Sequence, residues 1–526
     1  MAASPKTLTI RHNFSGGWAT DVGPAYDGGL DPNMVIQIPY LLDAKNIIYE
    51  LDGGPRKKWG TTKLNSTALE SGLSVRGLVD FWRMGVAGTP VQKRVIHVDT
   101  KIKADAADGT FADIKTGVSA TSIPNYCVFD DILIIADDAN SAPNYWDQTT
   151  FAALGGTPPN FAFCVKHKNR AWAAGNVAFP SRLYYSALDN AQDWVGAGSG
   201  TIDIDSDDGD GITGIASHKN SLFIFKGPNR GSIHRLTGSS PTGTDAFARA
   251  TFVDGIGAVW QNSIVPYGDD LAFLTPSGSV HSLKVTQEFG DFRASALTAP
   301  VNLYLAKRTN RQYLKKAWAV SDNTRGIVLI STPFDSATVN SRTLMMDYRF
   351  TPPRWAYWDD LANICLANVI DPSDSSRSKV MSGHSDGFVR KQFADTRSID
   401  GDTAIVCNIK TPFMNYATPY NMKVLNMLAL GVGTHGGTYT LSWIGNVSGL
   451  EQNTQIANSG GSLLGVFLLG TSILGNVQYT DSFVDTPTGG EFRHIQFQVT
   501  HSDNNTDAEL HSITAGVTVS AYSMEN

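Results

Sequence analysis

The chain has 526 residues, more than one hydrophobic core ordinarily serves, so two or three domains are expected. Hydrophobic residues make up 42% and charged residues 17%, with 50 glycines and 23 prolines; this excludes a disordered or long-helical protein and suits many short strands joined by tight turns. The net charge of −7 argues against phosphate-backbone binding, which needs clustered cations, and is compatible with a wall past which DNA slides without sticking.

Residues 1 to about 74 carry little periodicity and are expected to form an N-terminal arm and docking segment. Asn13-Phe14-Ser15-Gly16-Gly17-Trp18 and Asp52-Gly53-Gly54-Pro55-Arg56-Lys57-Lys58-Trp59-Gly60 read as turns around single aromatics, with one short helix predicted around Tyr40 to Ile48. The start, Met1-Ala2-Ala3-Ser4-Pro5-Lys6, has no apolar stretch of the kind a secretory signal needs.

From 75 to 395 a pattern recurs: a polar turn, an apolar strand, a small-residue turn, and a second strand often ending in an aromatic. It reads as Asp130-Asp131-Ile132-Leu133-Ile134-Ile135-Ala136 with Tyr145-Trp146, then as Lys168-Asn169-Arg170-Ala171-Trp172 with Leu183-Tyr184-Tyr185. It returns at Lys219-Asn220-Ser221-Leu222-Phe223-Ile224-Phe225, at Asp269-Asp270-Leu271-Ala272-Phe273, at Gly326-Ile327-Val328-Leu329-Ile330, and at Lys379-Val380-Met381. A unit of roughly 40 to 54 residues fits a four-stranded propeller blade, because one small twisted sheet hides its faces only by stacking on its neighbours. The reading is an irregular β-propeller of about six or seven blades, counting a degenerate unit near Val75 to Phe111. Residues 396–526, with alternating segments at Thr438–Ile444 and Phe492–Thr500, read as a C-terminal β-sandwich. No stretch reaches the ~18 apolar residues of a membrane span; the longest candidate, Leu463 to Leu474, is broken by glycine, threonine and serine.

No residue pattern earns assignment as catalytic, cofactor-binding or metal-binding. The acidic run Asp203-Ile204-Asp205-Ser206-Asp207-Asp208-Gly209-Asp210-Gly211 fails the calcium-loop pattern, since Asp208 stands where glycine belongs and Gly214 where the bidentate glutamate belongs. Asp130, Asp131, Asp269 and Asp270 are the carboxylates a glycosidase reading would choose, but each sits in a turn that already explains it. The eleven histidines show no metal spacing. Trp146, Trp172, Trp194, Trp318, Trp355 and Trp358 could make a sugar platform, but at one or two per blade they suit the core. Cys127, Cys164, Cys365 and Cys407 lie in apolar runs and read as buried free thiols of a reducing compartment. Arg56-Lys57-Lys58 is too short to hold DNA and reads as a salt contact with a neighbouring subunit.

Three places carry a family resemblance. Phe14-Ser15-Gly16-Gly17-Trp18, with Lys45-Asn46-Ile47 and Gly53-Gly54-Pro55-Arg56-Lys57-Lys58-Trp59-Gly60 behind it, resembles the opening of tail proteins of short-tailed bacteriophages. Lys168 to Gly175 with Arg182 to Ser186 and Asp193-Trp194, and Gly211 to Ile215 with Leu222 to Lys226, resemble blades of the same proteins. The resemblance covers residues 10 to 395. It implies a tail nozzle or tubular hub: a non-enzymatic virion protein, made in the host cytoplasm, forming a homo-oligomeric ring of six copies below the portal and adaptor. Such a ring extends the DNA ejection channel, passes double-stranded DNA without specific binding, and anchors tail fibres or spikes. The alternative reading is a glycan-binding or glycan-degrading propeller with the C-terminal sandwich as its carbohydrate module.

Overall fold

The computed structural model describes residues 6–14, 16–20, 25–26, 35–38, 40–85, 88–105, 109–138, 140–284, 296–371, 377–416, 418–433, 435–447, 449, 451–458, 479–484 and 491–519. The apolar stretch 463–474 lies outside them. Among the described residues no helix is long and apolar enough to cross a membrane. The chain forms two compact units, one of residues 63–344 and 361–392, the other of residues 1–62, 345–360 and 393–526.

The first unit is a succession of antiparallel meanders. Val75–Met84, Pro90–Val98, Lys101–Asp105 and Phe111–Thr116 form the first sheet in simple up-and-down order, so the stretch read as a degenerate unit is a full four-stranded sheet. The second runs from Pro124–Phe129 to Phe151–Ala153, the third from Phe163–His167 to Gly200–Asp203, and the fourth from Gly211–His218 to Ala248–Asp254. A fifth, of three strands among the described residues, spans Ile264–Tyr267 to Val280–Ser282. A sixth begins with Trp318–Asp322 and Ile327–Thr332, and a seventh with Asn363–Asp371 and Arg377–His384.

The sequence dictates this stacking through alternation. Side chains of a strand point to opposite faces in turn, and here both faces are buried, so a strand reads as an unbroken apolar run. In the run 132–136, Leu133 and Ile135 join Phe81, Val95 and Ile102 of the first sheet, whereas Ile134 and Ala136 join Phe161, Cys164 and Trp194 of the third. In the fourth sheet, Leu222 and Ile224 pack with Phe163 and Trp172, while Phe223 and Phe225 pack with Leu271 and Phe273. Each apolar cluster thus belongs to two successive sheets.

The circuit closes. The first strand of the seventh sheet lies beside the first strand of the first, with Cys365 Sγ 3.5 Å from the Val75 carbonyl and the Ile370 N–H donating to Asp80 at 3.0 Å. Closure is reinforced by chain from before the first sheet: Leu64 N–H donates to the Val389 carbonyl at 2.8 Å, and Asn65 takes the Val389 N–H at 2.8 Å while donating to the Gly387 carbonyl at 3.1 Å. A closed ring of radial meanders is a β-propeller, and sheets of unequal strand number make it an irregular one.

The second unit is a two-layered β-sandwich. Lys6–Phe14, Leu510–Val519, Lys423–Gly433 and Tyr479–Val484 pair in order in one sheet. In the other, Glu451–Asn458, Gly437–Gly445, Ile495–His501, Cys407–Lys410, Asp43–Lys45 and Arg354–Trp358 follow one another. His12 of the first sheet contacts the ring of Phe497 of the second at 5.9 Å, so the layers face each other over the buried Leu428, Leu441, Ile513 and Val517.

Two expectations are corrected here. Residues 1–62 do not stand apart as an arm; they supply strands to the sandwich, which therefore extends beyond 396–526. The helix expected around Tyr40 to Ile48 is instead the strands Asp43–Lys45 and Ile47–Tyr49, separated by Asn46 at φ 53°. For Asp43–Lys45, pairing with strands more than 300 residues away overrides local helix propensity, whereas Ile47–Tyr49 makes a local hairpin with Pro55–Lys57.

Candidate functional site

The acidic run 203–211 is the densest concentration of charge, and the fourth sheet determines what it does. Lys226, in the apolar strand Ser221–Gly227, has no solvent exposure, yet its Nζ donates to the carbonyls of Ile204 and Asp205 and to the Asp208 carboxylate, each at 2.7 Å. Asp210, itself buried, takes the backbone N–H groups of Asn229, Arg230 and Gly231 at 2.8 Å and so holds the turn after Lys226. Burial alone pushes its carboxyl up, but these N–H groups outweigh that and hold it below the usual range. Asp203 is gripped by Arg182 through two bonds of 2.7 and 2.9 Å, and Asp205 pairs with Arg249; these bonds lower both carboxyls. Four of the five aspartates are therefore spent on internal partners, and only Asp207 among them faces solvent without one of these bonds. Among the described residues no group of three or more His, Cys, Asp or Glu is disposed to hold a metal ion.

The carboxylates a hydrolase would use are dispersed. Asp130 and Asp131 form the two-residue turn between Phe129 and Ile132, and Gly268 and Asp269 the equivalent turn between Tyr267 and Asp270. These turns belong to the second and fifth sheets. Asp270 is buried and accepts the Leu271 N–H at 2.7 Å and the Ser282 hydroxyl. Lys168 and Asn169 both have positive φ, 47° and 57°, the backbone of a tight hairpin turn that matches strand twist, which explains the repeated His-Lys-Asn sequence without a ligand. A cleft of about 380 Å³ opens beside the Lys219-Asn220 and Gly268-Asp269 turns, lined by Phe223, Phe252, Lys219, Arg235, Asp269 and Asp270.

All six tryptophans weighed as a sugar platform are buried, none more than 8% exposed. All four cysteines are buried and free, and burial pushes the Cys365 thiol up to about 12 and the Cys407 thiol up to about 11.

Sequence reading missed three serine–histidine pairs at i, i+2, spacing that puts both side chains on one face of a strand. Ser232–His234, Ser279–His281 and Ser382–His384 meet at 3.0, 3.1 and 2.7 Å. They are buried, and at His234 both Ser232 and Asp205 approach the same ring nitrogen, Nε2, whereas a nucleophilic triad needs the acid on the other. They serve packing: burial lowers His281 to about 4 and keeps it neutral. In the sandwich, His435 and His511 flank Glu509 at 3.2 and 3.3 Å, an arrangement with no local spacing signal because 74 residues separate the first pair.

The basic segment Arg56-Lys57-Lys58 requires a correction. It does not await a neighbouring subunit: Arg56 pairs with Glu50 at 2.6 Å and with Asp507, Lys57 Nζ donates to the Asp503 and Thr506 carbonyls at 2.7 and 3.1 Å, and Lys58 pairs with Asp360 at 2.8 Å. Burial pushes Asp507 up, but bonds from Arg56 and the charge of Arg397 hold its carboxyl below the usual range. Around this network Trp18 N–H donates to the Trp355 carbonyl at 3.2 Å, Tyr49 OH to the same carbonyl at 2.7 Å, and Asn46 Nδ2 to Asp359 at 3.1 Å. The Gly17-Trp18, Lys45-Asn46-Ile47 and Gly53-to-Gly60 segments thus converge on the strand Arg354–Trp358 and build the sandwich core.

Comparison with known proteins gives no family-model match and no match among curated proteins. Solved structures similar to this chain include YCF48 bound to D1 peptide (8% identity, 64% of this chain, 96% of that chain, TM-score 0.36). Chaetomium thermophilum Raptor aligns at 10% identity over 64% of this chain and 29% of its own, TM-score 0.39. The nidogen/laminin complex aligns at 9% over 49% and 95%, TM-score 0.30. Likenesses this distant carry no argument about function, and the assignment of an irregular β-propeller joined to a sandwich rests on sheet order and closure.

Proposed function

We propose that this protein is a structural component of a bacteriophage tail, a nozzle or hub that assembles as a ring below the portal and adaptor, extends the DNA ejection channel and anchors fibres or spikes. The observation that carries the reading is where the phage-like segments fall. Gly17-Trp18, Lys45-Asn46-Ile47 and Gly53 to Gly60 make the framework that joins three distant stretches of chain into one sandwich. Residues that define a family by architecture suit a protein whose product is architecture.

A second feature bears on how DNA would pass. Asn125 of the second sheet donates to Asn262, just before the fifth, at 3.1 Å, and Asn262 donates back to the Pro124 carbonyl at 3.2 Å. These sheets stand three places apart in the order of seven, so the bond links across the ring and not between neighbours. The channel in this proposal is therefore the lumen between copies, where the net charge of −7 disfavours adhesion to phosphates. Buried tryptophans and separated carboxylates give the carbohydrate alternative less support.

The test is assembly on a template. Negative-stain microscopy of the full chain mixed with its cognate portal–adaptor complex is expected to show an added ring. A chain that stays monomeric with the adaptor present, yet binds a glycan array saturably, refutes the proposal in favour of the carbohydrate reading.

A further inference from the structure

The connection between the fifth and sixth sheets carries the short helix Asn302–Arg308 and the 3-10 segment Arg311–Lys316. Residues 296–321 hold five cations, Lys307, Arg308, Arg311, Lys315 and Lys316, and no aspartate or glutamate. In a chain of net charge −7, this is a local reversal of sign.

Packing fixes the segment in place. Val301, Leu305 and Leu314 are buried, and the Tyr304 ring meets that of Phe334 at 5.8 Å. Backbone ties it to the connection that follows Thr332. Asn310 N–H donates to the Pro333 carbonyl at 3.0 Å, Asp335 N–H to the Arg308 carbonyl at 2.6 Å, and Asn310 Nδ2 to the Ala337 carbonyl at 3.0 Å. The cations are therefore presented on a firm base. Arg308 shares Asp335 with Arg342, at 2.6 and 3.2 Å, so two guanidiniums divide one carboxylate. Lys315 pairs with Asp138 at 2.9 Å, and Lys316 Nζ donates to the neutral Thr338 carbonyl at 2.9 Å. Lys307 and Arg311 are exposed, with no ion-pair partner among the described residues. Six cations, Arg342 included, thus stand against two carboxylates.

We infer that this ridge contacts the phosphate backbone of double-stranded DNA without regard to sequence. Polyanion binding responds to cations clustered on one surface, which a net charge taken over the whole chain conceals. A protein partner fits less well. Leu303 and Val339 are the exposed large apolar side chains of the region, whereas interface cores are depleted in lysine and built on larger apolar or aromatic anchors. A few phosphate contacts give weak, salt-sensitive binding that leaves a duplex free to move past. The inference rests on charge and exposure, and needs neither the ring nor the tail role.

Fluorescence anisotropy of a labelled duplex of about 20 base pairs and arbitrary sequence, titrated with the full-length protein, tests it. Saturable binding is expected at about 50 mM salt. Raising the salt to about 200 mM is expected to weaken it on the order of a hundredfold, the loss set by about three or four neutralised phosphates. Lys307→Ala with Arg311→Ala, both at exposed positions, is expected to keep the wild-type Tm, weaken low-salt binding by roughly tenfold and flatten the salt slope by about two. Each single variant should flatten it by about one. Lys219→Ala removes an exposed cation from a hairpin turn of the fourth sheet and is expected to bind as wild type. Poly-L-glutamate of similar length tests the other source of negative charge: tighter binding to it than to the duplex would make the partner an acidic protein and overturn the inference. No saturation at low salt, a double variant that binds as wild type, or equal weakening by Lys219→Ala overturns it as well.

Discussion

Lys226, in the strand Ser221–Gly227, and Asp207, in the acidic run whose carbonyls Lys226 holds, should respond to mutation very differently. Replacing Lys226 by Met strips the Ile204 and Asp205 carbonyls and the Asp208 carboxylate of a shared donor in a fully buried site. Loss of one partner from such a set costs about 3 kcal/mol, read as a lower denaturant midpoint with unchanged m-value. Asp207→Asn, at an exposed position, should change stability by less than about 0.5 kcal/mol. The buried histidines set a pH dependence. Burial lowers His12 to about 4, His97 to about 3 and His281 to about 4, whereas the unfolded chain takes up these protons near 6.5. Their neutral packing therefore stabilises the fold fully above pH 6.5 and progressively less as pH falls toward 4. Thermal unfolding at pH 7.5, 6, 5 and 4.5 should show a steady fall in Tm beginning near 6.5; a flat profile down to pH 4.5 would contradict these environments.

At the scale of elements, glycine and asparagine positions decide whether strands can meet. Gly60, which opens the strand Gly60–Lys63, donates its N–H to the Thr396 carbonyl at 2.7 Å, and a Cβ there would stand 2.0 Å from the Ser398 carbonyl oxygen. Gly60→Ala should cost roughly 1–3 kcal/mol because backbone, not a flexible side chain, must move. Asn65→Ala removes the acceptor for the buried Val389 N–H where the propeller closes, an expected loss of about 1–3 kcal/mol with exchange protection falling first at Val389. Much of this scale was legible in the sequence. Apolar runs such as Ile132–Ala136 and Leu222–Phe225 disclosed two-sided burial, and Asp130-Asp131 and Lys168-Asn169 disclosed hairpin turns, because alternation and turn chemistry are local. The strand Asp43–Lys45 was not legible, since its partners Cys407–Lys410 and Arg354–Trp358 lie hundreds of residues away and no local period encodes such pairing. The same limit hid the partners of Arg56, Lys57 and Lys58: a basic triplet reads as surface until Asp507 and Asp360 are folded beside it.

At the scale of the molecule, the Asn125–Asn262 bond ties the second sheet of the propeller to the chain just before the fifth, and the sandwich gathers the N-terminal segment, one strand from mid-chain and the C-terminal region. In the proposed function DNA passes between copies, so the account hinges on assembly. Electron cryomicroscopy of the particle that contains this chain tests that most directly. The account predicts six copies closed around the tail axis below the portal and adaptor, with duplex density in the lumen between them and none through any propeller. Single copies hanging at the periphery, leaving the channel walled by another protein, would contradict it.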